Sequence, residues 1–143
     1  MKMYDKDTDA LFEELKIQPD VENFLAENFS ELTIPLNEYL EKLLQKKNLQ
    51  KKEVINKLNF DHKHAYHIFS GDKKPSRTKL VAISRAMNLN LDETQYLLRY
   101  GGFAILYPRN AWDAVIISAI QQNLSVRETN FLLEQLGEKT FTD

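Results

Sequence analysis

Cysteine is missing from the 143-residue chain, and with it go disulfide frameworks, thiolate nucleophiles and zinc–thiolate centres; the absence fits a reducing compartment. Glycine and proline are scarce, four of each, and none of the glycines forms a Gly-rich phosphate loop. Long apolar runs are lacking too. The longest, near residues 114–120, falls far short of the ~18 residues of a membrane span. The opening Met-Lys-Met-Tyr-Asp-Lys-Asp-Thr has no apolar stretch of the kind a signal peptide needs. The expected location is the cytoplasm, with no membrane partner. Period-two alternation is absent over any length and β-branched residues are sparse, so the expected fold class is all-α.

What is present is ordinary in bulk: 43% hydrophobic and 28% charged residues, enough for a buried core without staples. The net charge of −2 hides a strong asymmetry. Residues 1–35 carry three Lys/Arg and nine Asp/Glu, residues 36–87 twelve and five, and residues 88–143 four and seven, giving −6, +7 and −3. All three histidines lie in the basic middle. A local basic field is what phosphate contact requires, since neutralisation is local even when the whole chain is acidic. The same charges also suit a solvated helical surface.

Helical signals fill the chain. Thr8 is a candidate cap for residues 9–16, and Pro19 for the first turn of a helix over residues 20–29, with Val21, Phe24, Leu25 and Phe29 at helical spacing. Leu36, Tyr39, Leu40, Leu43 and Leu44 give a stripe for the next. Further on, Asn88-Leu89-Asn90-Leu91-Asp92-Glu93-Thr94-Gln95-Tyr96-Leu97-Leu98 with Gly102 recurs 35 residues later as Asn123-Leu124-Ser125-Val126-Arg127-Glu128-Thr129-Asn130-Phe131-Leu132-Leu133 with Gly137. In each copy a polar cap (Asn90, Ser125) precedes a Glu that can close a capping box, and a glycine ends the helix. The pair predicts a tandem helical hairpin, with residues 78–88 and 109–122 as first arms. Asn48-Leu49-Gln50, with Glu53, is a shorter helix start of the same kind.

Residues 36–47, 51–58, 62–70 and 77–87 are predicted helices. Only Asn59-Phe60-Asp61 separates the middle pair, the spacing of a helix-turn-helix, and Asp61 is a natural cap for the second of them. Ala65, Ile68 and Phe69 make its inward stripe; His62, Lys63, His64, Tyr66 and His67 lie outside it, donors and stackers with no acidic member. Gly71 stops the helix, and Ser76-Arg77 opens the next with backbone N–H groups and a guanidinium suited to a phosphate.

The run Ile68-x-x-Gly71-x-x-x-Pro75-Ser76, an apolar helix ending in Leu58, and Lys79-Leu-Val-Ala-Ile-Ser-Arg-Ala-Met-Asn88 together resemble the Cro/repressor-type helix-turn-helix of the XRE group of transcription regulators. The resemblance covers about residues 36–102, with a fifth helix from Leu91 to Gly102. Tyr39-Leu40, Phe69-Ser70-Gly71, Leu106-Tyr107-Pro108-Arg109 and Asn110-x-x-Asp113 are similar to bacterial members that carry a C-terminal helical hairpin. The resemblance implies a five-helix lambda-repressor-like domain at 36–102, preceded by an acidic two-helix arm (1–35) and followed by a helical hairpin (103–143). It implies double-stranded DNA as partner, with His62, Lys63 and His67 reading base edges. Lys51, Lys73, Lys74 and Arg77 are placed on the phosphates, and the remaining donors of the helix, His64 and Tyr66, on the backbone. Family members often have Gln, Arg or Ser at the reading positions. Histidine reads bases less decisively, so binding is expected to be weak or mostly electrostatic, and sensitive to pH. Regulators of this kind generally dimerise; the candidate homodimer interface is Trp112, Val115, Ile116 and Phe131 on the C-terminal hairpin.

Other chemistries fare worse. His64 and His67 are one turn apart beside Asp61, but His62 faces away, so the three histidines cannot share a metal ion. No nucleophile elbow, metal triad or cofactor box is present, and Glu13 and Glu14 face apart on their helix, so the chain is not expected to be an enzyme or to carry a cofactor. Tyr96 and Phe131 are most simply core, as is Trp112, and the apolar linker 101–108 is expected to be buried. The rival reading is a protein-interaction module on the same scaffold, with the acidic arm docking a basic partner or covering the basic face.

Overall fold

A computed structural model describes residues 6–17, 20–28 and 34–142. Among these residues it contains nine α-helices and no strand, and no helix long and apolar enough to cross a membrane. The chain divides into two compact units, Met1–Ile34 and Pro35–Asp143.

The first unit contains α1 (Thr8–Ile17) and α2 (Val21–Glu27), which pack against each other. The cap of α1 is Asp7, whose Oδ1 accepts from the Ala10 N–H at 2.8 Å, and not Thr8. Thr8 is already the first helical residue, one position too late for a side chain to reach the third free N–H. Asp20 caps α2 through the Asn23 N–H; Pro19 and Phe29 lie outside the described residues. A polar knot joins the pair. Asn28, 1% exposed, donates to Glu14 at 2.9 Å and accepts from Lys6 at 2.7 Å, while Lys6 also reaches Glu14. No residue of α1 or α2 is buried, and Phe12, Ile17, Val21 and Leu25 are exposed.

The second unit holds α3 (Leu36–Lys46), α4 (Lys51–Asn56), α5 (His62–Ser70), α6 (Arg77–Ala86), α7 (Leu91–Tyr100), α8 (Ala111–Gln121) and α9 (Val126–Gln135). At its centre is α6, where every residue from Leu80 to Ala86 is buried. Around it pack α4, α7 and α9, with α3 and α4 against α5, and α8 against α7 and α9. Tyr39, 1% exposed, anchors α3 by stacking on Tyr100 of α7 at 4.2 Å between ring centroids. Phe69 and Ile68 lock the inner face of α5 into the same core.

The repeat is built on its caps. Asn90 and Glu93 close a capping box on α7, and Ser125 and Glu128 close one on α9. The helix before each copy ends in a left-handed asparagine, Asn88 (φ 55°) or Asn123 (φ 59°), and Asn48 (φ 54°) does the same after α3. In all three, the leucine that follows donates its N–H back to a carbonyl five residues earlier: Leu49 to Leu44, Leu89 to Ser84 and Leu124 to Ala119. This is the Schellman closure, in which asparagine stands in for glycine because its short amide tolerates positive φ. Each leucine therefore ends one helix as it enters the next. Gly102 (φ 81°) and Gly137 (φ 71°) close α7 and α9 in the same way.

Candidate nucleic-acid interface

Residues 57–61 join α4 to α5. Asp61 Oδ1 accepts from the Lys63 N–H at 3.2 Å, fixing the start of α5, and Gly71 (φ 91°) closes its end. A Cβ on Gly71 would stand 2.9 Å from the side chain of Asn37, so both conformation and space favour glycine there. With Ala65, Ile68 and Phe69 buried, the outer face of α5 presents His62, Lys63, Tyr66 and His67, and Tyr66 is 46% exposed.

These side chains are partly held in place. His62 Nε2 lies 3.3 Å from the Leu58 carbonyl, a hydrogen bond it donates in the tautomer protonated at that nitrogen. His67 Nδ1 lies 3.3 Å from Asp72 Oδ2, which also accepts from Ser70 Oγ at 3.1 Å. Those two hydrogen bonds hold the Asp72 carboxyl below its ordinary value. His64 is half-buried, edge-on to Phe60 at 6.2 Å. Burial first, then the positive charges of Lys79, Lys73 and His67, pull its pKa below the ordinary value against the opposing pull of Asp61. His64 is thus neutral more of the time at neutral pH than a free histidine, and a poor cation for phosphate. Lys63, Lys73 and Lys74 are exposed. Lys51 is paired with Glu41 at 2.5 Å, both side chains being about two-fifths exposed, a contact that a competing phosphate can replace at little cost.

Arg77 has a different place from the one expected of a phosphate ligand. Its Nη1 and Nη2 donate to Asp113 Oδ1 and Oδ2 at 2.9 and 3.0 Å. Its Nε donates to the Ala104 carbonyl at 2.9 Å and Nη2 to that of Ile105 at 3.1 Å. Asp113 also accepts from the Tyr107 N–H at 3.0 Å. The guanidinium therefore clamps the 101–110 linker and α8 to the start of α6, which leaves little of its fork for an outside anion. Gln95 adds a second strap, donating to the Leu106 carbonyl at 2.9 Å and accepting from the Leu106 N–H at 2.7 Å. With these ties Leu106 is buried, Phe103 and Ile105 are half-buried, and Tyr107 stays outside.

Of the four residues expected at a dimer interface, one is closed off, two are half-buried and one is exposed. Ile116 is fully buried and has no area to offer a partner. Trp112 is half-buried, its indole N–H donating to the Lys139 carbonyl at 2.7 Å and its ring edge-on to Phe141 at 6.3 Å. Val115 is half-buried. Phe131 is 58% exposed and is not the core residue its repeat position suggested, although its counterpart Tyr96 is half-buried. The inward positions of α9 are Val126, Thr129 and Leu133, which turn Phe131 outward. Among the described residues no group of three or more His, Cys, Asp or Glu could hold a metal ion.

Asp113 and Gln95 were invisible as partners in the sequence, because their roles depend on where the linker runs. Compared with family models, with curated proteins and with solved structures, the chain finds no match in any of the three.

Proposed function

We propose that this chain is a DNA-binding regulator of the helix-turn-helix kind, with α4 and α5 as its paired helices and α5 entering the major groove. The observation that carries the reading is the outer face of α5. Lys63, His62, His67 and Tyr66 stand there without a carboxylate on the helix, and Lys73 and Lys74 continue the positive charge into the following turn. An outward helix of nine residues fits a groove roughly 12 Å wide. The base-reading set is His62, Lys63 and His67; Lys51, Lys73 and Lys74 supply the phosphate contacts. Arg77 acts one step back, holding the start of α6 in place.

A dimer that sets two α5 helices one DNA turn apart, about 34 Å, would use Phe131 with Leu136, each 58% exposed, in preference to Ile116 or Trp112. A second reading, a protein-interaction module, is favoured by the acidic first unit, where Phe12, Ile17, Val21 and Leu25 are left exposed.

Fluorescence anisotropy of the full chain against a mixed-sequence duplex, titrated over a range of salt, separates the two readings. DNA binding gives a log K that falls linearly with log salt. Lys73→Ala lowers the slope by about one unit, whereas Arg77→Ala leaves the slope unchanged. Absence of affinity at low salt would sink the DNA reading and leave the interaction module.

A further inference from the structure

We propose that the cleft between the α4–α5 turn, the end of α6 and the start of α9 is a binding site for a small organic anion, whose phosphate or carboxylate group is held by Arg85. The cleft has a volume of about 810 Å³, within the about 300–1,000 Å³ usual for small-molecule sites. Lys57 and Asn59 wall it on one side, Arg85 and Asn88 on a second, Arg127 and Glu128 on a third.

Arg85 is the reason to expect an anion. It is 3% exposed, and its Nε and Nη1 have no hydrogen-bond partner among the described residues. Its Nη2 reaches Asn88 Oδ1 at 3.4 Å, a long contact to a neutral oxygen. Burial alone pulls the Arg85 guanidinium below its ordinary value, with no nearby carboxylate acting on it. A buried guanidinium is costly unless paired, and its planar fork matches the two oxygens of a phosphate or carboxylate. An anionic oxygen that displaces Asn88 meets Nη2 first; Nε and Nη1 have almost no surface of their own, so the side chain turns towards the cleft to complete the fork.

The rest of the wall agrees. Lys57 and Arg127 add positive charge against one carboxylate, Glu128, which already accepts from the Ser125 N–H at 3.0 Å. Asn59, whose Oδ1 is buried without a donor, adds a further polar side chain to the wall. The site owes nothing to the DNA reading, and its test is made without DNA.

In ¹H–¹⁵N spectra of the full chain, the Arg85 Nε–Hε resonance is followed while inorganic phosphate or acetate is added in separate titrations. The expected result is a saturable shift of that resonance with at least one probe, accompanied by residues 57–59 and 123–128. Saturation by phosphate alone marks a phosphorylated ligand, by acetate alone a carboxylate. Arg85→Met abolishes the shifts of residues 57–59 and 123–128 and, in buffer without these anions, raises the unfolding temperature by removing a buried charge. Should that variant fail to fold, Arg127→Ala is expected to weaken the binding about threefold or more. The proposal is overturned if neither probe saturates, if the shifts gather on α5 instead, if they survive in Arg85→Met, or if Arg127→Ala leaves the affinity unchanged.

Discussion

Replacing Asp113 with alanine removes the carboxylate on which three hydrogen bonds converge: two from Arg77, at 2.9 and 3.0 Å, and one from the Tyr107 N–H at 3.0 Å. The Asp113 side chain is 7% exposed and that of Arg77 27%. The pair therefore lies closer to the buried limit, where losing one partner costs about 3–5 kcal/mol, than to the surface limit of about 0–1 kcal/mol. Solvent reaching Arg77 moderates the loss, so Asp113→Ala is expected to cost about 3 kcal/mol. Arg77→Ala should cost a similar amount, because it leaves an enclosed carboxylate with the Tyr107 N–H and little else. The double variant strands neither charge and should cost less than the sum of the two, with a coupling of about 2 kcal/mol. Urea unfolding of the parent, the two single variants and the double, followed by circular dichroism, gives the four free energies needed. A coupling below about 0.5 kcal/mol would show that Arg77 and Asp113 behave as a surface pair, and the clamp would have to be abandoned.

Three more outcomes follow from the same geometry. At Asn123 (φ 59°), Asn123→Gly should hold stability to within about half a kcal/mol while Asn123→Ala costs about 1 kcal/mol; thermal unfolding decides, and equal behaviour of the two would refute the left-handed closure. Gln95→Ala strands both polar groups of Leu106 and should cost about 1–3 kcal/mol, whereas a loss within error in urea would show that the strap holds nothing. Burial raises the Glu93 pKa, but the hydrogen bonds from Lys47 and the Asn90 N–H outweigh it, leaving the group below the ordinary 4.5. Because the folded state then binds its proton less readily than the unfolded chain, the stabilisation is complete above the ordinary value and drains away as pH falls through the lower folded one. Urea midpoints measured from neutral pH into acid should show this limb in the parent and a weaker one in Lys47→Met; identical limbs would remove Lys47 from the account.

Much of the fold was written locally. Capping boxes and helix-ending glycines lie within a few residues of the groups they satisfy, so Asn90, Glu93, Ser125, Glu128, Gly102 and Gly137 could be read from spacing. Asn48, Asn88 and Asn123 carried a signal that was passed over: each opens an Asn-Leu pair straight after an apolar helix, which is where a left-handed cap belongs. The outer face of α5 was legible because its small and apolar residues recur at helical spacing. Arg77 was not, since Asp113 is 36 positions away and meets it only through the course of the linker. Phe131 misled because two copies of a repeat share their caps without sharing every neighbour: Tyr96 has the ring of Tyr39 on α3 beside it at 5.9 Å between centroids, whereas α9 buries Val126, Thr129 and Leu133 and leaves Phe131 outside. Arg85 gave no warning at all, sitting as a lone charge in the buried run Leu80–Ala86.

That run has a consequence for how the second unit moves. A helix enclosed on every side has no local route by which its amides can meet solvent, so their protons exchange only when the whole unit opens. The slowest-exchanging amides should therefore be those of α6, and their rate is a direct gauge of global stability. Because α6 carries Arg77 at its first turn and Arg85 in its last, loosening the clamp or filling the cleft should be registered along the helix as one uniform change in protection, and not as a patch around either arginine.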